Sequence, residues 1–214
     1  MQIQRFIVNM IEENTYLLYD ENGDAALIDC GAFYTEEKKL IKDFIIDKQL
    51  HLTHILNTHA HFDHLFGADF ICKSFDLTLE INKAEQGTYE SAPLQTRLLV
   101  RQEIPLDLPS KVSFFNDGDI INIGNIKLKV ISTPGHTPGG VCFYDEDHKV
   151  LFSGDSLFRA QIGRCDFPGG DEHQLITALK ERILKLPNDV QVLPGHGDST
   201  TIGYERLHNP FLRY

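Results

Sequence analysis

The chain of 214 residues carries 31 acidic and 20 basic side chains, which give a formal net charge of −11 at pH 7. Its hydrophobic share of 42% is ordinary for a globular protein and is sufficient for a sizeable core. The lysines and arginines are scattered without any run, so such an acidic chain would repel a phosphate backbone. Composition therefore argues against a protein that binds nucleic acid.

The predicted elements alternate between short strands and helices, because apolar runs with the strand period of about two residues and with the helix period of about 3.6 residues are separated by turn residues. In chain order they are strands at 2–8, 15–19 and 25–29, a helix at 35–48, a strand at 52–57, a helix at 64–75, a strand at 78–81, a helix at 83–101, strands at 111–115, 126–132, 141–144 and 149–153, a helix at 171–186 and a strand at 190–193. This order predicts an α/β protein, with sheet stacked on sheet and helices outside, in a single domain spanning residues 1–214.

The four cysteines are widely separated and form no C-x-x-C pair: Cys30, Cys72, Cys142 and Cys165. This spacing excludes the common zinc-finger and thioredoxin motifs and gives no indication of a disulfide framework. The N-terminus lacks a basic region followed by a long apolar run, and no stretch approaches the roughly 18 apolar residues of a membrane span. We therefore expect a cytoplasmic protein with no membrane partner.

The heptad THAHFDH, at positions 58–64, concentrates histidines directly after a predicted buried strand. On a helix, residues two apart point about 200° away from each other, so His59 and His61 could not share a ligand there. On an extended chain they point the same way, about 6–7 Å apart at their Cα atoms, and both can reach one metal ion. A turn at Asp63 and His64 would aim these two side chains at a second ion.

Three later segments each present one ligand-type residue at the end of an apolar strand. VISTPGHTPGG presents His136, VLFSGDSLF presents Asp155 and VQVLPGHGD presents His196. In each segment a glycine lets the backbone bend where the strand ends, and ligands delivered from several strand ends are typical of a site built on a rigid scaffold. The remaining histidines are expected to be surface or structural residues: His51, His54, His148, His173 and His208.

Seven side chains form the predicted ligand set: His59, His61, Asp63, His64, His136, Asp155 and His196. Seven ligands are too many for one tetrahedral zinc ion, but they suit two ions that share a carboxylate and a bridging water. Imidazole and carboxylate donors without a thiolate favour zinc, iron or manganese. The predicted cofactors are therefore two divalent metal ions, with zinc expected first, and the predicted activity is that of a dinuclear metallohydrolase.

These motifs resemble those of the metallo-β-lactamase superfamily: H-x-H-x-D-H at 59–64, followed by Gly-His-Thr, Ser-Gly-Asp-Ser and Pro-Gly-His around the three later ligands. The resemblance implies a four-layered αβ/βα sandwich of the metallo-β-lactamase type, with the metals at the edge between two sheets. It also implies that His59, His61 and His136 hold the first ion. Asp63, His64 and His196 would hold the second, and Asp155 would bridge the two.

Within the superfamily, STPGHTPGGVCFY and LFSGDSLFRAQIGR are most similar to glyoxalase II and its relatives, which hydrolyse the thioester of S-(2-hydroxyacyl)glutathione. Two departures set this chain apart. The shortness of the stretch after His196 predicts a protein without the C-terminal helical domain of full-length glyoxalase II, which supplies basic contacts to glutathione. The substrate loop keeps a basic residue, Arg164, but has Asp166 where the family has tyrosine, and GRCDFPGGD resembles the compact glyoxalase II-like proteins instead.

The expected mechanism uses no protein nucleophile. Two metal ions lower the pKa of a bridging water, and the resulting hydroxide attacks the thioester carbonyl of a small-molecule substrate. The leaving thiol has a pKa near 8.5, so its thiolate departs without a protein acid. Asp63 and Asp155 are the predicted catalytic residues, and Arg164 and Arg159 are the predicted contacts to a substrate carboxylate.

Other reactions are compatible with much of this motif set. An iron-dependent persulfide dioxygenase would use a single iron held by His59, His136 and Asp155. Lactonases, β-lactamases and other ester hydrolases of the superfamily share the ligands, whereas flavodiiron-type modules carry glutamate where His61 stands. A non-catalytic metal protein would need a closed coordination sphere. The sequence alone leaves the native metal, the acyl group and the oligomeric state open.

Overall fold

The computed structural model of the protein describes residues 1–96 and 104–213. Within these residues, the strands form two six-stranded sheets and one two-stranded hairpin. The strands of the first sheet lie side by side in chain order: β1 (Gln2–Val8), β2 (Glu13–Tyr19), β3 (Asp24–Ile28), β4 (His51–Leu56), β5 (Leu79–Asn82) and β6 (Val112–Phe115). The first three strands are antiparallel, and β3 to β6 are parallel.

The second sheet is formed by the C-terminal half of the chain. Its strands are β7 (Ile120–Ile123), β8 (Ile126–Ser132), β9 (Val141–Asp145), β10 (Val150–Gly154), β13 (Gln191–Pro194) and β14 (Thr200–Thr201). Across the sheet the order is β14-β13-β10-β9-β8-β7, while β11 (Leu157–Phe158) and β12 (Gln161–Ile162) form the separate hairpin. Strands β10 and β13 are parallel neighbours, so both deliver the residue after the strand to the same edge of the sheet.

Five α-helices lie in the described parts of the chain: α1 (Thr35–Asp47), α2 (Ala68–Phe75), α3 (Gln86–Gln95), α4 (Glu172–Ala178) and α5 (Ile202–His208). Short 3₁₀ turns span Phe62–His64 and Lys83–Glu85, and a π-helical turn, Leu179–Ile183, continues α4. No helix in residues 1–96 or 104–213 has both the length and the hydropathy that crossing a bilayer requires.

Alternating side chains on the strands fill three apolar layers. On β2, Leu17 faces α1 and α2, where it packs in one core with Ile41 and Ile71. Its neighbour Leu18 faces the other way, into the core between the two sheets, which also contains Phe143. A third core lies between the second sheet and the C-terminal helices. The layers therefore run helix, sheet, sheet, helix, and the predicted αβ/βα sandwich is confirmed.

The boundaries of several predicted elements need correction. The helix predicted over 64–75 begins only at Ala68, because the predicted ligands Asp63 and His64 lie in a separate 3₁₀ turn before it. The helix predicted over 83–101 is interrupted at its start by the turn Lys83–Glu85, and residues 97–101 of that prediction lie outside the described residues. The sequence prediction also missed five short elements: β7, β11, β12, β14 and α5. All five are shorter than eight residues, so they carry little periodicity.

His54 links the two sheets and is expected to make stability depend on pH. Its Nδ1 lies 2.6 Å from Oε1 of Glu80, and its Nε2 lies 3.2 Å from the carbonyl oxygen of Asn122 on β7. The hydrogen bond to Glu80 raises the pKa of His54 above its ordinary value, against the opposing effect of burial. The contribution of protonated His54 to stability is therefore complete below about pH 6.5 and is lost as pH rises through the raised folded-state pKa.

We expect His54→Ala to reduce the free energy of unfolding by about 1 kcal/mol more at pH 6 than at pH 9, after allowance for partial solvent exposure. Urea unfolding of both proteins across this range measures the difference. Glu80→Gln serves as the control, because it removes the partner and should reduce the same pH dependence. A difference that stays constant from pH 6 to pH 9 would contradict this account.

Candidate metal centre

The seven predicted ligands lie together at one edge of the sandwich, between the two sheets. The loop after β4 carries His59, His61, Asp63 and His64, and the loop between β8 and β9 carries His136. Asp155 directly follows β10, and His196 follows the parallel neighbour β13 after one glycine. The strand ends therefore assemble residues that are up to 137 positions apart in the chain, from 59 to 196.

His59, His61 and His136 form the first group, because one nitrogen from each lies within 4.8 Å of the others. The closest pair is Nδ1 of His61 and Nε2 of His136, at 2.9 Å. The Nδ1 of His136 lies 2.6 Å from the backbone carbonyl of Arg164. A carbonyl only accepts hydrogen bonds, so Nδ1 carries the proton and Nε2 is directed at the centre as an electron-pair donor.

Asp63, His64 and His196 form the second group, with the same mutual limit of 4.8 Å. Oδ2 of Asp63 lies 3.1 Å from Nε2 of His196 and 3.5 Å from Nε2 of His64. The Nδ1 of His196 lies 3.1 Å from the carbonyl oxygen of Ile11, in the turn between β1 and β2. This contact orients His196 as the Arg164 carbonyl orients His136, with Nε2 facing the centre.

Asp155 reaches both groups. Its Oδ1 lies 3.4 Å from Nε2 of His64, and its Oδ2 lies 3.6 Å from Nε2 of His136 and 3.8 Å from Nε2 of His196. His59, His64 and Asp155 also fall within 4.8 Å of one another. The position between the groups is the one that a bridging carboxylate would occupy, and the bridging role itself stays a prediction.

The donor set fits divalent metal ions. Nε2 of His59, Nε2 of His64 and Oδ1 of Asp155 are buried and have no hydrogen-bond partner. Each buried polar atom without a partner costs about 1–3 kcal/mol, so a convergent set of them requires a compensating ligand. The groups contain only imidazole and carboxylate donors, which suit zinc, iron or manganese.

Burial and neighbouring charges keep His59 and His61 neutral. Burial, followed by the His64 charge, holds the pKa of His59 well below its ordinary value. Burial and the charge of His136 lower the pKa of His61 to about 3. Both rings are therefore neutral at physiological pH and offer electron pairs to a cation without first losing a proton.

The second group has the opposite electrostatics. Burial alone would lower the pKa values of His64 and His196, but the facing carboxylates of Asp63 and Asp155 outweigh it and hold both above the ordinary value. Burial alone would raise the pKa values of the two aspartates, but the imidazolium charges outweigh it and hold both lower than usual. Asp63 and Asp155 therefore stay ionised at neutral pH, which is the form that a cation binds.

Two buried acids that the sequence analysis missed lie behind His64. Oδ2 of Asp29 is 3.1 Å from Nδ1 of His64, and Oε1 of Glu13 is 3.8 Å from the same atom. Asp29 has a left-handed backbone (φ 50°), and its carboxylate accepts hydrogen bonds from the backbone amide and hydroxyl of Thr58, each at 2.8 Å. A charged residue at the end of the apolar run AALID was the available signal.

A cavity of about 420 Å³ opens onto both groups. Its walls away from the ligands are mostly apolar: Ile11, Phe62, Phe158, Ile162 and Phe167. Arg164 is the one cationic side chain among the described residues that line it, apart from the histidines. The mostly exposed guanidinium of Arg164 makes two hydrogen bonds to the Asp166 carboxylate, at 3.0 and 2.7 Å, and stacks 4.5 Å from the Phe167 ring.

The structure does not bring Arg159 into this cavity. Arg159 lies in the turn between β11 and β12, and its guanidinium stacks on the ring of Tyr204 in α5, at 4.6 Å. Its Nη1 lies 3.5 Å from the carbonyl oxygen of Ser199. Arg159 is not among the described residues that line the cavity, so its role in substrate binding stays a prediction.

A family model described as the metallo-beta-lactamase superfamily matches residues 11–196, a range that includes all seven predicted ligands. Hydroxyacylglutathione hydrolase GloC of Haemophilus influenzae is 36% identical over 214 residues, which cover 99% of this chain and 98% of that protein. The solved structure of the BLEG-1 B3 metallo-beta-lactamase has a TM-score of 0.88 at 33% identity and covers 99% of both chains. TTHA1623, solved in a di-iron-bound form, has a TM-score of 0.86 at 38% identity and covers 98% of this chain and 100% of that one. The chain therefore belongs to the metallo-beta-lactamase superfamily of metallohydrolases.

Proposed function

We propose that this protein is a dinuclear thioesterase that hydrolyses a glutathione thioester such as S-lactoylglutathione. The observation that carries the proposal is the pair of complete ligand groups joined by Asp155. The similarity to the Haemophilus influenzae hydroxyacylglutathione hydrolase, along nearly the whole of both chains, supports the substrate class.

The first group would hold one divalent ion and the second group the other, with Asp155 contributing to both. Zinc is the proposed native metal, because it accepts mixed imidazole and carboxylate ligands. Iron is the alternative, supported by the di-iron-bound form of TTHA1623, and manganese also suits these donors. When bound, two such ions would supply an acidified water as nucleophile and a positive charge that stabilises the developing oxyanion.

The chain's own residues would orient the reactants around that chemistry. Asp63 stays ionised, so its carboxylate can accept a hydrogen bond from the attacking water while the second group holds it in place. The apolar walls of the cavity exclude bulk water from the reacting carbonyl. A thiolate leaving group needs no proton donor, and this matches a cavity whose acidic lining residues are the ionised Asp63 and Asp155.

The proposed partner is a small-molecule thioester, and neither nucleic acid nor a membrane is part of the proposal. The net charge of −11 supports the exclusion of nucleic acid. We also propose a cytoplasmic location, which the four unpaired cysteine thiols support.

Arg164 is expected to bind a carboxylate of the glutathione moiety. Arg164 lines the cavity next to its apolar walls. A substrate carboxylate would have to compete with the Asp166 carboxylate for the Arg164 guanidinium. We expect Arg164→Ala to raise KM for S-lactoylglutathione about tenfold and to change kcat less than twofold, because the lost contact is made equally in the ground state and the transition state. Steady-state kinetics measure both constants.

Asp166→Asn provides the matched control, since it removes the competing carboxylate and leaves Arg164 in place. This variant should lower KM for the same substrate, whereas a neutral lactone should respond to neither change. An unchanged KM in Arg164→Ala would remove Arg164 from the substrate site.

A persulfide dioxygenase is the alternative from another reaction class, and it would use a single iron. The presence of a second group, in which Asp63, His64 and His196 satisfy the same 4.8 Å limit as the first group, favours the hydrolase. Lactonase activity is the nearer alternative, because the cavity walls are mostly apolar.

One panel assay separates these functions. The purified protein is incubated with S-lactoylglutathione, a simple lactone, a β-lactam and glutathione persulfide, and its metals are quantified. The proposal expects two ions per chain and the highest kcat/KM on the thioester. One iron per chain, together with oxygen uptake on the persulfide, would overturn it, as would a clear preference for the lactone or the β-lactam.

A further inference from the structure

We infer that Glu85 is a positioning residue that holds the loop of His59 and His61 against the loop of His136. Glu85 ends the 3₁₀ turn before α3, and none of its surface is exposed. It belongs to neither ligand group. The inference rests on the metal role of these histidines and is independent of the thioester reaction.

The Glu85 carboxylate is shared between the two loops. Its Oε2 accepts a hydrogen bond from the backbone amide of Ala60, at 2.8 Å, and its Oε1 accepts one from the backbone amide of Gly139, at 2.6 Å. Ala60 lies between His59 and His61, and Gly139 lies in the loop of His136. One rigid group therefore sets the separation between loops that follow strands of different sheets.

The backbone at Gly139 shows that this contact is tightly packed. A Cβ atom at Gly139 would lie 2.6 Å from the backbone nitrogen of Glu85 and 2.8 Å from the carbonyl carbon of Ala84. Real Cβ atoms do not approach backbone so closely, so the loop of His136 reaches the Glu85 turn only because this residue is glycine. The two loops are also joined by a hydrogen bond from the Val141 amide to the Thr58 carbonyl, at 2.9 Å.

A carboxylate suits this position because both of its oxygens accept hydrogen bonds. Glutamine has nearly the same shape but only one acceptor oxygen, so one of the two buried amides would face an NH₂ group. The loops would then separate, and the three histidines would lose their common spacing. Groups that orient metal ligands from behind typically change metal affinity by about 10–100-fold when they are replaced.

The test is a metal titration of Glu85→Gln in the full chain, with Zn²⁺ and with spectroscopically visible Co²⁺ after metal depletion. We expect the ion of the first group to bind about tenfold more weakly, with an altered cobalt absorption band. The ion of the second group should bind as in the wild type. A His61→Ala variant identifies the band of the first group. Gly139→Ala should weaken the same ion, because its Cβ drives the loops apart by sterics alone.

Glu205→Gln is the matched control. Glu205 is also fully buried and accepts hydrogen bonds from the Ala160 amide, in the turn between β11 and β12, and from the Thr200 hydroxyl on β14, and neither of these elements carries a predicted ligand. The control is expected to lower the melting temperature without altering either metal affinity. The inference is overturned if Glu85→Gln binds both ions with wild-type affinity, or if Glu205→Gln weakens the same ion equally. Both readouts are metal binding, so they stand whichever substrate the enzyme hydrolyses.

Discussion

Asp155→Asn is expected to lower kcat/KM for thioester hydrolysis about a thousandfold, which corresponds to about 4 kcal/mol of lost transition-state stabilisation. Asp155 is the one carboxylate among the described ligand residues that contacts imidazoles of both groups, at 3.4 Å from His64 and 3.6 Å from His136. Asparagine keeps the volume but removes the negative charge and directs an NH₂ group at one set of ligands. The two groups would then lack the negatively charged side chain that lies between them.

The measurement combines steady-state kinetics with metal analysis of the purified variant. Asp145→Asn is a suitable control, because Asp145 is also buried in the second sheet but binds His148 instead of the ligand groups. It should retain activity within about twofold of the wild type. An Asp155→Asn enzyme with two bound ions and more than a tenth of the wild-type activity would contradict the bridging role.

The grouping of the seven predicted ligands could be predicted because its signal is local. The four residues of the heptad follow the buried strand β4, and each of the three later residues directly follows a glycine at or near the end of an apolar strand. The parallel neighbours β10 and β13 bring two of these strand ends to one edge. On an extended chain, side chains two residues apart point to the same side, so a shared site for His59 and His61 could be predicted without any long-range contact. The layered fold followed in the same way from the order of strands and helices.

The groups behind the ligands were not predictable, because their partners are backbone atoms far away in sequence. The sequence around Glu85 is typical of a surface glutamate at the start of a helix. Only the folded chain places the Gly139 amide against its carboxylate. Arg159 shows the converse, because it is close to Asp155 in sequence but does not line the cavity beside it. The hairpin turn directs its side chain to Tyr204 on α5, a helix too short to carry a clear periodic pattern.

Removal of the metal ions is expected to lower the melting temperature by about 10 °C. Each of two ions that bind the folded chain but not the unfolded one stabilises it by about 2 kcal/mol at a free concentration of about 30 times Kd, which gives about 4 kcal/mol together. In a protein of this size, 1 kcal/mol shifts the melting temperature by about 2–4 °C. The source of the effect is the set of buried atoms without partners, including Nε2 of His59 and Oδ1 of Asp155.

Calorimetry after chelation, followed by addition of Zn²⁺, tests this expectation. Mg²⁺ is the control ion, because it demands oxygen ligands in an octahedral arrangement and should not restore the melting temperature in a histidine-rich site. Asp155→Asn should show a smaller shift with Zn²⁺, since the anionic oxygen near both groups is gone. If the chelated wild type melted within about 2 °C of the zinc-loaded protein, the buried donors would have to be satisfied without an ion. The free energy assigned here to metal binding would then have no structural source.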